Sequence, residues 1–241
     1  MPYLKRLDCL QNTLKSFNWH YNKRNDYEII IVEDRKNVRN YKEHHNLKRF
    51  LDLVKKDFNI IQAESQEIDN YNPADLYNIG AEEASGEFLV ITSPECFHDT
   101  NILDGFDEGL KNEKNQYIIC ACKNVENLMI SNNQYVSYHP MKWYQHSVHN
   151  NKQFHFCSCI SKENYTKMGG FDSGYSIGIG YEDNDFQERV WHLGGIQIIN
   201  RDDLVVLHQN HPKESVKVKG YKEKLKRNLD RFKNIWGYIP A

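Results

Sequence analysis

The sequence predicts an α/β domain with a doubly wound, mostly parallel sheet, and three observations carry that prediction. Helix-spaced and strand-like segments alternate through the first hundred residues. The strand-like runs are β-branched along most of their length, as parallel strands covered on both faces are. Acids and histidines stand at the carboxyl ends of these runs, where open parallel sheets bind ligands. Hydrophobic residues make up 39% and charged residues 27%, so the chain can bury a core and falls outside the composition of disordered proteins.

Leu4, Leu7, Leu10, Leu14 and Phe17 recur at helical spacing and predict a first helix over 4–17. Tyr27-Glu-Ile-Ile-Ile-Val-Glu33-Asp34 reads as a buried parallel strand ending in two acids. Leu47, Phe50, Leu51 and Val54 mark the apolar face of a charged helix, and 59–63 is a short strand. Asn72-Pro73 opens the next helix, with Pro in its first turn. That helix runs to about Ala84, and Phe88 to Thr92 follows as a strand ending at Ser93-Pro94-Glu95-Cys96. The order αβαβαβ implies parallel pairing. The second half is more mixed: a helix over 102–110, strands over 116–122 and 154–160, a Gly-rich stretch over 169–180, a helix from Glu182 to Leu193 and a short strand from Val205 to Leu207. Asn124 to Asn151 reads as irregular loop. Val218, Tyr221, Leu225, Leu229, Phe232 and Trp236 form one stripe of a C-terminal helix. No repeat or linker interrupts the chain, so one domain is expected.

The net charge of −2 argues against nucleic acid as a partner, because phosphate binding shows as a basic excess. No run approaches the ~18–20 apolar residues that span a bilayer. The N-terminal residues lack the apolar core of a secretory signal, which leaves a cytoplasmic location as the expectation. Cys120/Cys122 and Cys157/Cys159 each put two thiols on one face of a strand. Buried free thiols are the expected reading; a four-thiolate zinc site would be the alternative, with unusual ligand spacing.

Chemistry should gather at the strand ends: Glu33-Asp34, Glu95, the loop into Glu182-Asp183, and His208 with His211. Acids with histidines suggest a divalent cation holding an anionic ligand, with a further carboxylate for acid-base work. Taken singly, each has a plainer explanation. Glu33-Asp34 could cap the next element, Glu95 could be a solvated turn residue, and the histidines could lie on the surface. Glu182, Asp183 and Asp185 at a helix start are what the helix dipole favours.

Tyr27-Glu-Ile-Ile-Ile-Val-Glu-Asp resembles the "EIIIVDDGS" strand of family 2 glycosyltransferases, and 78–88 resembles their "N-x-G-x-x-x-A-x-G-E-Y" passage. Ser93-Pro94-Glu95 then falls on their D-x-D motif. Gly169-Gly170-Phe171-Asp172 with Gly178-Ile-Gly180-Tyr-Glu182-Asp183-Asn-Asp185 is similar to the "GGFDE…GWGxEDxD" segment of galactosyltransferase-like enzymes. Residues 187–195 are similar to the "SFRVWQCGG" run of polypeptide N-acetylgalactosaminyltransferases. The resemblance covers roughly 4–212. It implies a GT-A fold, Rossmann-like and of one domain, with a nucleotide-binding half over 1–100, an acceptor and catalytic half over 101–212, and an amphipathic helix over 213–241.

The same resemblance implies a nucleotide-sugar donor, UDP-linked, and a glycan, protein or lipid-linked acceptor. Glu33, Asp34 and Ser93 would bind the nucleotide. Glu95 and His208, with His211 as a further ligand, would hold Mn²⁺ or Mg²⁺, and nitrogen ligation favours Mn²⁺. Asp183 would be the general base and Glu182 would orient a substrate, although these two roles could be exchanged. Gly180, Asp185 and Trp143 would face the sugar or acceptor. Family 2 implies inversion, whereas the N-acetylgalactosaminyltransferase likeness implies retention.

Two departures are apparent: the opening strand of the family is missing ahead of the first helix, and Ser93 replaces the first Asp of D-x-D. They motivate an alternative, an inactive sugar- or nucleotide-binding module of the same fold. A nucleotidyltransferase would need a Gly-rich basic loop after its first strand, and none is visible. The stretch 213–233 carries nine basic against three acidic residues. It is expected to pack its apolar stripe on the domain, with peripheral membrane contact as the other reading.

Overall fold

The computed structural model describes residues 1–65, 73–111, 113–131, 135–193, 195–212 and 214–240. Asn72, Gly194 and Lys213, which belong to sequence expectations above, lie outside them. Helix α1 (Leu7–Tyr21) follows a two-residue strand β1 (Pro2–Tyr3). Strand β2 (Ile29–Glu33), helices α2 (Arg35–Arg39) and α3 (Tyr41–Val54), strand β3 (Ile60–Glu64) and helix α4 (Pro73–Glu83) come next. Strands β4 (Phe88–Ile91) and β5 (Cys96–His98) precede α5 (Ile102–Leu110). Then come β6 (Gln116–Ser131), β7 (Tyr135–Gln145), β8 (Ser158–Ser161), α6 (Lys162–Lys167), α7 (Glu182–His192), β9 (Gln197–Gln209) and α8 (Tyr221–Trp236).

Among the described residues the strands form two sheets. β1-β2-β3 is parallel throughout, and the other sheet runs β4-β8-β6-β9-β5 with β7 on the outer part of β6. In that second sheet only β6 and β9 run parallel. The mixed α/β architecture is the one expected, but β4 differs from its expected place. It joins the second sheet antiparallel to β8, pairing Leu89 with Ile160. An apolar run marks a strand as buried without specifying which edge it meets.

Three further expectations are corrected. The opening strand is present: Pro2 and Tyr3 pair with Val32 and Glu33, and Met1 donates to the Ile30 carbonyl. Residues 124–151 are mostly a β6–β7 hairpin rather than loop. The last strand extends over Gln197–Gln209, so His208 lies within it. The β6–β9 ladder also breaks once, where Cys120 faces Arg201 but Ala121 faces Val205.

Alternation along the strands of the second sheet sends side chains into two cores. Tyr117, Ile119 and Ile160 pack on one face with Phe171, Phe186 and Val190. Ile118 and the four cysteines of both C-x-C pairs pack on the other with α5. A third core joins α1 and α3 to β2 through Leu10, Leu14, Ile31 and Leu47. No helix among the described residues is long and apolar enough to cross a membrane.

Candidate active site

The turn from β4 to β5 carries Ser93, Pro94 and Glu95, and α1 and β9 hold it from two sides. Thr13 Oγ1 donates to the Pro94 carbonyl at 2.7 Å. The Gln209 backbone N–H donates to the Glu95 carbonyl at 2.9 Å, and its side-chain amide bonds Cys9 and Thr13 of α1. Cys96 faces His208 across the β5–β9 ladder. The register of one antiparallel pair thus brings an acid and an imidazole together.

Glu95 is 4% exposed. Its Oε1 lies 2.6 Å from Arg6 Nη1, 3.6 Å from His211 Nε2 and 4.0 Å from His208 Nε2. Its Oε2 is buried with no hydrogen-bond partner. His208 Nδ1 is 3.0 Å from Asn124 Oδ1, and His211 Nδ1 is 3.1 Å from the Pro212 carbonyl. Both of those oxygens can only accept, so each Nδ1 is placed to donate and each Nε2 is turned towards Glu95. Burial pushes the Glu95 carboxyl up, but Arg6, then His208 and His211, outweigh it and hold it below its ordinary value. Two imidazole nitrogens and a carboxylate converging on one point match the donor set of a divalent transition metal.

The second group of acids starts α7. Gly180 (φ 71°) and Tyr181 (φ 68°) are consecutive left-handed residues that turn the chain into the helix. Asp183 Oδ1 accepts the Asn184 N–H at 2.9 Å. Glu182 Oε2 is buried and unpartnered. Burial, then the neighbouring Asp183, pushes the Glu182 carboxyl up, and burial likewise raises Asp183. Tyr144 joins the two groups. Its ring stacks on His208 with centroids 5.6 Å apart, and its phenol is pushed up by burial, then by Asp183 and other acids including Glu182. Sequence reasoning missed Tyr144, Asn124 and Arg6. The first two lie on the hairpin read as loop, and the third carries no pattern.

Other expected site residues are placed differently. Asp185 is fully buried; Arg189 Nε (2.6 Å), Trp236 Nε1 (2.9 Å) and the Tyr175 hydroxyl (3.3 Å) donate to it. Its carboxylate ties α8 to α7. Gly180, expected to face the sugar, and Gly178 both lie against α8: a Cβ on Gly178 would lie 1.9 Å from Asn228 Oδ1, and the Gly180 carbonyl accepts from Asn228 Nδ2 at 2.7 Å. Trp143 has Lys123 over its ring at 5.0 Å and stacks with His149, so it is not a bare platform.

Glu33 is buried under His44 (2.9 Å) and Gln62 (3.1 Å). It belongs, with His44 and Glu64, to a second gathering of ligand atoms, but those hydrogen bonds already engage it. Asp34 accepts the Lys36 N–H at 2.8 Å and caps α2, the plainer of its two readings. The Ser93 hydroxyl is buried 3.3 Å from Cys96 Sγ. All six cysteines are free thiols, and none belongs to a metal-ligand group among the described residues.

Residues 141–208 match the family model described as the N-terminal domain of galactosyltransferase. No curated protein matches the chain in sequence. Among solved structures, GalNAc-T7 with UDP, GalNAc and Mn²⁺ superposes with a TM-score of 0.69 at 15% identity, over 98% of this chain and 47% of that one. S. aureus TarS 1–349 in complex with UDP-GlcNAc gives 0.68 at 11% identity, over 97% and 65%. The mannosyltransferase PcManGT from Pyrobaculum calidifontis, in complex with GDP-Man and Mn²⁺, gives 0.57 at 15% identity, over 99% and 64%. The chain therefore has the GT-A fold of glycosyltransferases. Within it the segment over 141–208 is galactosyltransferase-like, and the chain spans about half the length of the GalNAc-T7 chain.

Proposed function

We propose that the chain transfers a sugar from a nucleotide-diphosphate sugar, UDP-linked as in the GalNAc-T7 and TarS complexes, to an acceptor hydroxyl. The observation that carries this reading is the convergence of Glu95 with the Nε2 atoms of His208 and His211. A divalent cation fits there, because Glu95 Oε1 and the two Nε2 atoms gather within reach of one ion and Glu95 keeps a buried, unpartnered Oε2. Nitrogen ligands favour Mn²⁺ over Mg²⁺, and GalNAc-T7 and PcManGT were both solved with Mn²⁺. When bound, such an ion supplies Lewis-acid stabilisation of a departing diphosphate.

The chain's own residues do the rest. Asp183 takes the proton of the acceptor hydroxyl as its oxygen attacks the anomeric carbon. The bond from that carbon to the diphosphate breaks, and its electron pair leaves with the phosphate. A single displacement of this kind inverts the anomeric centre. Glu182, kept protonated by burial, donates a hydrogen bond to a sugar hydroxyl. Asp34 and Ser93, at the carboxyl ends of β2 and β4, border the nucleotide, while Glu33 shapes that border through His44. The three sequence segments, 1–100, 101–212 and 213–241, act as one unit around this site. The acceptor is a glycan, a protein or a lipid-linked sugar.

The inactive-module alternative rested on a missing opening strand and on Ser93, and β1 removes the first of these. The deciding experiment is calorimetric titration of UDP and UDP-sugars, with and without Mn²⁺, on wild type and Glu95→Ala. Metal-dependent binding that Glu95→Ala weakens at least about tenfold is expected, the loss of one charged ligand. No nucleotide binding under any metal condition would overturn the reading.

A further inference from the structure

Glu95 Oε1 already has a cation beside it. Arg6 Nη1 approaches to 2.6 Å, and it does so on the same oxygen that His211 and His208 face at 3.6 and 4.0 Å. The guanidinium arrives from a constrained backbone. Lys5 (φ 59°) and Arg6 (φ 67°) are consecutive non-glycine residues in the left-handed region. L-residues visit that region singly and with strain, and such strain gathers at ligand clamps and switches. Arg6 is also the residue from which α1 starts, and it makes no side-chain cap there. From this turn the guanidinium reaches Glu95.

A buried carboxylate requires a counter-charge, since an uncompensated one is strongly disfavoured. It does not require two. A guanidinium and a divalent ion on one carboxylate oxygen would sit a few ångströms apart in a poorly screened site, where like charges repel steeply. We infer that Arg6 and the divalent cation are alternative counter-charges for Glu95, so that Arg6 sets how weakly the site holds metal on its own. This inference rests on the metal reading above. An anionic ligand entering the site adds the charge that lets both cations stay, so metal and nucleotide should strengthen one another's binding through Arg6.

The test uses the full chain, with Mn²⁺ binding followed by loss of the free-ion electron paramagnetic resonance signal and stability by thermal unfolding. Arg6→Gln should unfold at a lower temperature than wild type without Mn²⁺, because Glu95 loses its partner. It should bind Mn²⁺ about 10- to 100-fold more tightly, the weight of one charge-assisted hydrogen bond. Mn²⁺ should also raise its unfolding temperature more than it raises that of wild type. UDP should strengthen Mn²⁺ binding more in wild type than in Arg6→Gln. Arg6→Lys, which keeps the charge on a different head group, should fall between the two and serves if Arg6→Gln does not fold.

Mn²⁺ affinity in the variants equal to or below that of wild type would overturn the inference while leaving the metal site standing. Folded wild type and folded variants that all fail to bind Mn²⁺ would overturn the metal reading itself.

Discussion

Glu182 and Asp183 are adjacent, and burial raises both. Asp183→Asn should lower kcat by about 10²- to 10⁴-fold, the usual weight of a general base, while calorimetry shows donor binding unchanged. The transfer rate should rise with pH as Asp183 loses its proton, along a limb displaced upwards from an ordinary aspartate. Stability should move the other way. A carboxyl that titrates above its ordinary value when folded binds its proton more tightly in the native state. Folding stability therefore falls as pH rises from the ordinary glutamate value of 4.5 through the raised one. Glu182→Gln should flatten that fall in urea unfolding compared at pH 5 and pH 8; an unchanged slope would mean that Glu182 does not titrate late. At this scale Glu95, Glu182, Asp183, His208 and His211 were legible because strand ends and helix starts can be located from pattern. Asp185 was expected to face the acceptor, whereas three donors, two of them outside its own helix, claim its carboxylate. Nothing in its own neighbourhood announces them.

Helices α7 and α8 are joined by polar contacts that periodicity does not show. Asp185 accepts from Trp236, and Asn228 Nδ2 donates to the carbonyls of Tyr175 and Gly180. Asp185→Ala would leave Arg189 with Asp172 as its remaining carboxylate and take the acceptor from Trp236 and Tyr175, and should cost about 3 kcal/mol in urea unfolding. At temperatures where it stays folded, its KM for acceptor should be unchanged; a raised KM would restore Asp185 to the acceptor site. Gly178→Ala places a methyl group against Asn228 and should cost about 2–3 kcal/mol through overpacking and lost amide hydrogen bonds. Helix α5 was legible to the residue, and the structure shows Asn101 capping its start by accepting the Asp104 N–H. The β6–β7 hairpin was not. Register shifts near Cys122, Lys123 and Glu126, and the left-handed Asn127, break the two-residue alternation by which strands are recognised.

For the whole molecule, the fold class was legible because α and β patterns alternate, but the pairing of the sheets was not. The halves drawn at residue 100 share their strands: β4 pairs with β8 and β5 with β9. The candidate site likewise takes Arg6 and Glu95 from one half and His208 and His211 from the other. Residues 1–100 expressed alone should therefore show no cooperative thermal transition by circular dichroism, since β4 and β5 would have lost their partners. A sharp transition would make the first half an independent domain.

The break in the β6–β9 ladder also bears on how the chain can change in length. Between Arg201 and Val205 three residues of β9 face no residue of β6. Residues gained or lost there lengthen or shorten a bulge. A single residue gained between Val205 and His208 would instead turn His208 to the opposite face of the sheet, away from Glu95. Insertions at 202–204 should spare Mn²⁺ binding and one at 206 should abolish it. The same strand is thus permissive of drift along one stretch and intolerant of it a few residues further on.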